Sequence, residues 1–168
     1  MNMRPGIHVT CRYSASPERV FDAWLDPVTA GKWLFATASR PMARVTIDAR
    51  VGGLFCFTER HDDLGIEYRG RYVEITPPRR LVFTLSMDRR SLDSTRVIVE
   101  IAPLNTGCEL NVFHENVPPH HTSRTEGRWT GILYGLGMTL ESSAAGNRAD
   151  GHSRRMRPLS KSGPGYRL

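Results

Sequence analysis

The sequence lacks the long apolar run that a membrane-spanning helix needs. A span requires roughly 18–20 consecutive apolar residues, and no stretch of the chain approaches that length. The opening Met1-Asn-Met-Arg-Pro-Gly6 is also not followed by the hydrophobic segment of a secretory signal peptide. We therefore expect no membrane span and a cytoplasmic location.

Cysteine is scarce, and the three cysteines, Cys11, Cys56 and Cys108, form no Cys-x-x-Cys pair. This excludes a disulfide framework, and the strand-like flanking residues predict buried, reduced thiols. The His120-His121 pair matches neither the spacing of a helical zinc pair nor that of a finger, and a solvated loop explains it better. The same holds for the polar turn His61-Asp62-Asp63, so no metal site is predicted.

Motifs of the common enzyme classes are also missing. There is no Gly-x-Ser-x-Gly nucleophile motif, no glycine-rich phosphate loop and no dinucleotide fingerprint. No cofactor is therefore predicted. The sequence leaves an enzymatic role open but does not favour one.

The charge is unevenly distributed. The chain has 23 Lys and Arg residues against 17 Asp and Glu residues, a net charge of +6. Residues 146–168 contain six basic residues and one acid, so this segment carries +5 and residues 1–145 only about +1. We predict one folded domain over 1–145 and a flexible basic tail over 146–168. The tail has no regular aromatic interleaving, which argues against a specific nucleic-acid partner.

Apolar and polar residues alternate from Ile7 to Tyr13, which predicts a first strand. Ser16-Pro17 and Asp26-Pro27 are each an N-cap followed by proline, and predict two short helices that bury Trp24, Trp33 and Leu34. Strand signals then continue to His114. Their short links require antiparallel pairing. The predicted strands are Val45–Ala49, Leu54–Glu59, Ile66–Thr76, Leu81–Met87, Arg96–Ile101 and Cys108–His114.

The last predicted element is a long amphipathic helix. Ser123-x-x-Glu126 has the pattern of a capping box. A single apolar stripe follows at helical spacing, formed by Trp129, Ile132, Leu133, Leu136 and Leu140. The order of elements predicts an α+β fold in which a curved antiparallel sheet of about seven strands wraps around the C-terminal helix.

Several segments resemble a known family. They are Ser16–Pro27, Val51-Gly-Gly53, Glu67–Tyr72 with Glu74–Thr84, and Trp129–Leu140. They resemble the family related to the activator of the heat-shock protein 90 ATPase, in the START-related, Bet v 1-like (SRPBCC) superfamily, over roughly residues 7–143. The resemblance implies a helix-grip fold with a hydrophobic cavity between sheet and helix. It supplies no catalytic signature.

The residues expected to line that cavity are mostly aromatic, and the alternative is that they fill a solid core. Strand parity from Cys108 places His114 on the same face of the sheet. His114 is the weak candidate for an acid or base, and a buried, hydrogen-bonded histidine is the alternative. The other candidate cavity residues are Trp24, Trp33, Phe55, Phe57, Tyr68, Phe83, Trp129 and Leu133.

The predicted fold and the resemblance are compatible with three alternative functions. The first is a protein that holds a small hydrophobic molecule in the cavity. The second is a co-chaperone-like or stress-response interaction module, although the chain lacks the separate N-terminal domain of the eukaryotic activator. The third is an enzyme acting on a ring or polyketide-like substrate through His114 and Tyr68 or Glu59. In addition, glycines recur on one face of the last helix at Gly127, Gly131 and Gly135, where a second subunit could pack to form a homodimer.

Overall fold

The computed structural model describes residues 6–36, 42–59, 66–87 and 94–155, with only the backbone described at 43 and 147–155. The predicted turn at 61–63, the charged loop at 88–93 and the end of the chain after 155 lie outside the described residues. The strands are β1 Gly6–Tyr13, β2 Met42–Ile47, β3 Leu54–Glu59, β4 Glu67–Thr76, β5 Arg80–Leu85, β6 Thr95–Pro103 and β7 Cys108–Glu115. The helices are α1 Pro17–Leu25, α2 Pro27–Trp33 and α3 Thr122–Arg155, and a 3-10 turn spans Pro119–His121.

The seven strands form one antiparallel sheet in the order β1-β7-β6-β5-β4-β3-β2. Strands that follow each other in sequence from β2 to β7 are therefore neighbours in space, as their short links require. One face of the sheet is apolar, and every second residue of β7 from Cys108 to His114 is buried on it. The α+β fold predicted from the order of elements is confirmed.

Both short helices begin as predicted. The Ser16 hydroxyl accepts a hydrogen bond from the backbone N–H of Arg19, and the Asp26 carboxylate accepts one from Thr29 N–H at 2.8 Å. Such side-chain caps satisfy backbone N–H groups that have no partner within the helix. The Thr29 hydrogen bonds also lower the pKa of Asp26. These two turns direct Trp24 and Trp33 into the core.

The long helix α3 differs from the prediction at both ends. It begins at Thr122 as a continuation of the 3-10 turn, one residue before the predicted capping residue Ser123. It ends at Arg155, so it crosses the boundary predicted between residues 145 and 146. Between these ends the predicted apolar stripe from Trp129 to Leu140 is buried. The division into a domain and a flexible tail stays a prediction.

Hydrogen bonds fasten α3 to the strands and helices beneath it. The Tyr13 hydroxyl of β1 donates to the Leu133 carbonyl at 2.7 Å, and the Arg19 guanidinium of α1 donates to the Leu140 carbonyl at 3.1 Å. Burial of the phenol raises the pKa of Tyr13, which keeps it a donor at all physiological pH values. The middle of α3 is therefore held against β1 and α1 by polar as well as apolar contacts.

All three cysteines are free thiols. Cys108 is buried as predicted, whereas Cys11 and Cys56 are only half-buried. Cys56 alternates with the buried Phe55 and Phe57 along β3, which places it on the other face of the sheet. Within the described part of the chain, no helix is both long and apolar enough to cross a membrane. The same residues contain no cluster of three or more side chains of the metal-binding types His, Cys, Asp and Glu.

Candidate functional site

The aromatic residues predicted to line a cavity pack against one another in the core. Trp24 lies edge-on to Trp33 at 4.8 Å and is tilted against Trp129 at 6.3 Å between ring centroids. Phe55 meets Phe83 edge-on at 5.4 Å. The free volume left beside Trp24, Phe55, Phe57 and Phe83 is about 10 Å³, enough for one water at most. In this packing the residues fill the core, and a ligand cavity among them stays a prediction.

Phe35 packs among the aromatic residues that were predicted to line a cavity or to fill the core. It stacks on Tyr68 at 4.5 Å with the rings nearly parallel, and it lies edge-on to Phe57 at 5.4 Å. Its backbone has φ 62°, a left-handed conformation that is rare for a bulky residue. In this conformation the ring of Phe35 is buried in the core. No sequence signal marks this conformation, and Phe35 was missed for that reason.

The indole N–H groups of the two core tryptophans on α1 and α2 differ. Trp33 Nε1 donates to the carbonyl of Ala23 at 3.2 Å. Trp24 Nε1 is buried and has no hydrogen-bond partner in the described part of the chain. A buried donor without a partner costs about 1–3 kcal/mol. The core is therefore well packed but not fully satisfied in its polar groups.

His114 lies on the predicted face of β7, and only 8% of its surface is exposed. Both ring nitrogens have partners: Trp129 Nε1 lies 3.0 Å from Nδ1, and Thr95 Oγ1 lies 2.7 Å from Nε2. An indole nitrogen can only donate, so Nδ1 accepts and the proton of the neutral ring is on Nε2. Thr95 then accepts from His114 and donates to the Leu85 carbonyl at 3.1 Å.

This chain of hydrogen bonds determines what the imidazole can do. Burial lowers the pKa of His114 from 6.5 to about 4, so the ring is neutral near pH 7. Its one lone pair is occupied by the Trp129 N–H, and its proton is used on Thr95. No free lone pair is left to abstract a proton from a substrate. The arrangement matches the alternative of a buried, hydrogen-bonded histidine that joins β6, β7 and α3.

A cavity of about 640 Å³ opens where the ends of β5, β6 and β7 meet the first turns of α3. We call it the end cavity. Of the nine predicted cavity residues, only His114 lines it. Its apolar lining consists of Leu85, Met87, Val117 and Pro118, and its polar lining of Ser86, Thr95, His114, His121, Arg124, Thr125 and Arg128. A volume of this size lies within the range of about 300–1,000 Å³ typical of small-molecule sites.

A chain of polar side chains runs from the exposed Arg128, which lines the end cavity, to buried groups of the sheet. The Arg128 guanidinium lies over the Tyr68 ring at 5.1 Å and donates to its hydroxyl. Tyr68 in turn donates to the Glu59 carboxylate at 2.9 Å. Burial raises the pKa of Tyr68, and the positive charge of Arg128 opposes that shift. The arginine on α3 is thus linked through β4 to a buried acid on β3.

Sequence reasoning named Tyr68 and Glu59 but missed Arg128. Arg128 and Tyr68 are 60 residues apart in the chain, so no local pattern could pair them. The one available signal was the position of Arg128 directly before Trp129, at the margin of the apolar stripe. His120 and His121 lie exposed in the 3-10 turn, as expected of a solvated segment before the helix.

A second cavity, of about 480 Å³, lies between β1 and the middle of α3. Arg12 and Arg19 line it, and both already have partners. Arg12 pairs with Glu109 at 2.9 Å, and Arg19 donates to the Leu140 carbonyl. The arginines of this second cavity are therefore already occupied, and we regard the end cavity as the better candidate for a binding site.

The three glycines of α3 have different surroundings. A Cβ on Gly135 would lie 3.6 Å from Trp33, so α2 packs closely here. Gly127 and Gly131 face open space, and Tyr134 beside them is 71% exposed. A Cβ at Gly135 would make ordinary van der Waals contact with α2, so this contact does not require glycine there. Nothing within the described residues covers the other two.

A curved antiparallel sheet closed by one long helix, with a cavity where the two meet, defines a helix-grip protein. The family of Activator of Hsp90 ATPase homolog 1-like proteins matches residues 14–141. The chain belongs to this family, and the predicted resemblance is confirmed. A search of the curated proteins finds no match.

Solved structures agree with this fold. Protein CV1439 from Chromobacterium violaceum is 29% identical with a TM-score of 0.71, covering 79% of this chain and 94% of its own. The AHSA1-like protein from Aeromonas hydrophila is 23% identical with a TM-score of 0.73, over 83% and 94%. A protein of unknown function from Staphylococcus aureus, SA2116, reaches a TM-score of 0.74 at 15% identity, over 84% and 96%. The last two show the fold alone.

Proposed function

We propose that this protein binds a small amphipathic molecule in the end cavity. The observation that carries the proposal is a cavity of about 640 Å³ that is lined by both apolar and polar side chains. Small-molecule sites have this composition, in which apolar groups supply affinity and a few polar groups fix orientation. The packed aromatic core beneath the cavity gives it a rigid base.

The residues around the cavity are positioned before any ligand arrives. His114 is held by Trp129 and Thr95, and Arg128 is held over Tyr68. Side chains that are already ordered lose little entropy when a ligand binds, which favours affinity. We also propose a cytoplasmic location, because the cysteines are free thiols and the cytoplasm keeps thiols reduced.

The test uses the neutral fluorophore N-phenyl-1-naphthylamine, whose emission rises when it enters an apolar site. Thr125 lines the end cavity, and we expect Thr125→Trp to fill the cavity and abolish the rise in emission. Thr130 is exposed elsewhere on α3, so Thr130→Trp is the matched control and keeps the wild-type response. Mass spectrometry of small molecules extracted from the purified protein then identifies natural ligands. Equal responses from both variants would overturn the proposal.

Two protein partners stay predictions. The exposed face with Gly127, Gly131, Tyr134 and Met138 favours a second copy of this chain, and Gly131→Leu is expected to shift the sedimentation of such a dimer. The family name associates its members with an activator of the Hsp90 ATPase. Recovery of a chaperone in a pull-down with the purified protein would support that role, and recovery of none would end it.

A further inference from the structure

Two arginines of α3 line the end cavity one helical turn apart. Arg124 and Arg128 are four residues apart, so they share one face of the helix. Like charges at this spacing repel each other and destabilise a helix. An anion bound between them would remove that repulsion.

The positive charge of Arg124 is uncompensated. Within the described part of the chain, Arg124 has no hydrogen-bond or ion-pair partner. No Asp or Glu is among the described residues that line the cavity. The nearest acid in the polar chain, Glu59, is only 6% exposed and is covered by Tyr68. The described lining of the cavity therefore carries net positive charge.

Arg128 is held in place, but not all of its N–H donors are occupied. One guanidinium nitrogen donates to Tyr68, and another lies 3.7 Å from the Met87 sulfur. A guanidinium has five N–H donors, so others stay available for a ligand. An arginine fixed over an aromatic ring is a pre-organised partner for a planar or tetrahedral anion.

We propose that the ligand of the end cavity is an apolar acid, whose carboxylate or phosphate head group binds Arg124 and Arg128. Its apolar part lies against the lining residues Leu85, Met87 and Val117. This inference rests on the proposed function, because it assigns the chemical class of the molecule that the same cavity binds. It adds a charge requirement that binding of an apolar molecule by itself does not have.

The test compares three ligands that share one alkyl chain: decanol, decanoate and decyl phosphate. Each displaces the neutral fluorophore from the full-length protein, and the quantity measured is the affinity of each acid relative to that of decanol. A charge-assisted hydrogen bond to an arginine is worth about 1.5–3 kcal/mol, so we expect at least one acid to bind about tenfold more tightly than decanol. The better of the two acids identifies the head group.

Arg124→Gln is expected to bring this ratio close to one, and Arg124→Lys, which keeps the charge, to retain most of it. Arg71→Gln is the matched control. It removes the same charge from the exposed face of β4, away from the cavity, and leaves the ratio unchanged. Equal affinities for all three ligands in the wild type overturn the inference while the proposed function stands. Failure of the fluorophore and of all three ligands to bind overturns both.

Discussion

The histidine buried beneath the end cavity makes the stability of the protein depend on pH. His114 is uncharged in the fold because burial lowers its pKa to about 4, against 6.5 for an accessible imidazole. Between these two values the unfolded chain binds a proton at this position and the folded protein does not. Above the pKa of the unfolded state the buried imidazole costs no stability. The free energy of unfolding falls as the pH drops from there towards the pKa of the folded state.

The size of the effect follows from the two pKa values. Over the whole interval the penalty approaches about 3 kcal/mol, since one pKa unit corresponds to about 1.4 kcal/mol. Between about pH 7.5 and about pH 5, it amounts to about 2 kcal/mol. Only 8% of the side chain is exposed, so solvent screening reduces this little.

The perturbation is His114→Gln, which keeps a side-chain N–H near Thr95 but cannot take up a proton in this range. At about pH 7.5 we expect the variant to be less stable by about 1 kcal/mol, because the hydrogen bond accepted from Trp129 is lost. At about pH 5 we expect the difference to vanish or reverse, because only the wild type has lost the additional 2 kcal/mol or so.

Urea unfolding at the two pH values, followed by circular dichroism, measures these free energies. Carboxylates also titrate as the pH falls, so the decisive quantity is the difference between wild type and variant rather than either curve alone. His120→Gln removes an exposed histidine of the 3-10 turn and controls for the loss of an imidazole as such. If wild type and His114→Gln lose equal stability over this interval, the reasoning about the buried imidazole is refuted.

The core and the glycines yield two further pairs of variants, measured by the same urea unfolding. Trp33→Phe should destabilise the protein by about 1 kcal/mol more than Trp24→Phe, because only the first removes a hydrogen bond, the one to Ala23; an equal loss would contradict this. Gly131→Ala should stabilise α3 by about 1 kcal/mol, since a methyl group there meets open space. Gly70→Ala should destabilise by about 1–3 kcal/mol or more, because its Cβ would overlap a backbone carbonyl of β5; a stable Gly70→Ala protein would rule out this close approach.

Features set by local pattern could be predicted from the sequence. The capping residues Ser16 and Asp26 placed two helices correctly, because a cap acts within one turn of chain. Strand parity placed His114 on the inner face, because alternation along a strand needs no knowledge of the neighbours. Short links between strands likewise determined the antiparallel pairing.

Features set by contacts between distant segments could not be predicted from the sequence. Whether aromatic residues line a cavity or fill it depends on side chains from several elements, among them Phe35, which packs on Tyr68 from a turn with an unusual backbone conformation. The role of Arg128 depends on Tyr68, which lies on β4, a strand far from α3 in the sequence. The continuation of α3 past residue 145 could not be predicted either, because a change to a basic composition does not by itself end a helix. The division into a domain and a flexible tail stays a prediction.

The clustering of the tryptophans has an optical consequence. The chain has three of them, and all are buried where α1, α2 and α3 meet. Intrinsic emission from this protein therefore reports on a single junction rather than on an average over the surface. Trp129 donates its hydrogen bond to His114, whose ring borders the end cavity. A change of charge or polarity in that cavity should therefore appear as a spectral change without any added label.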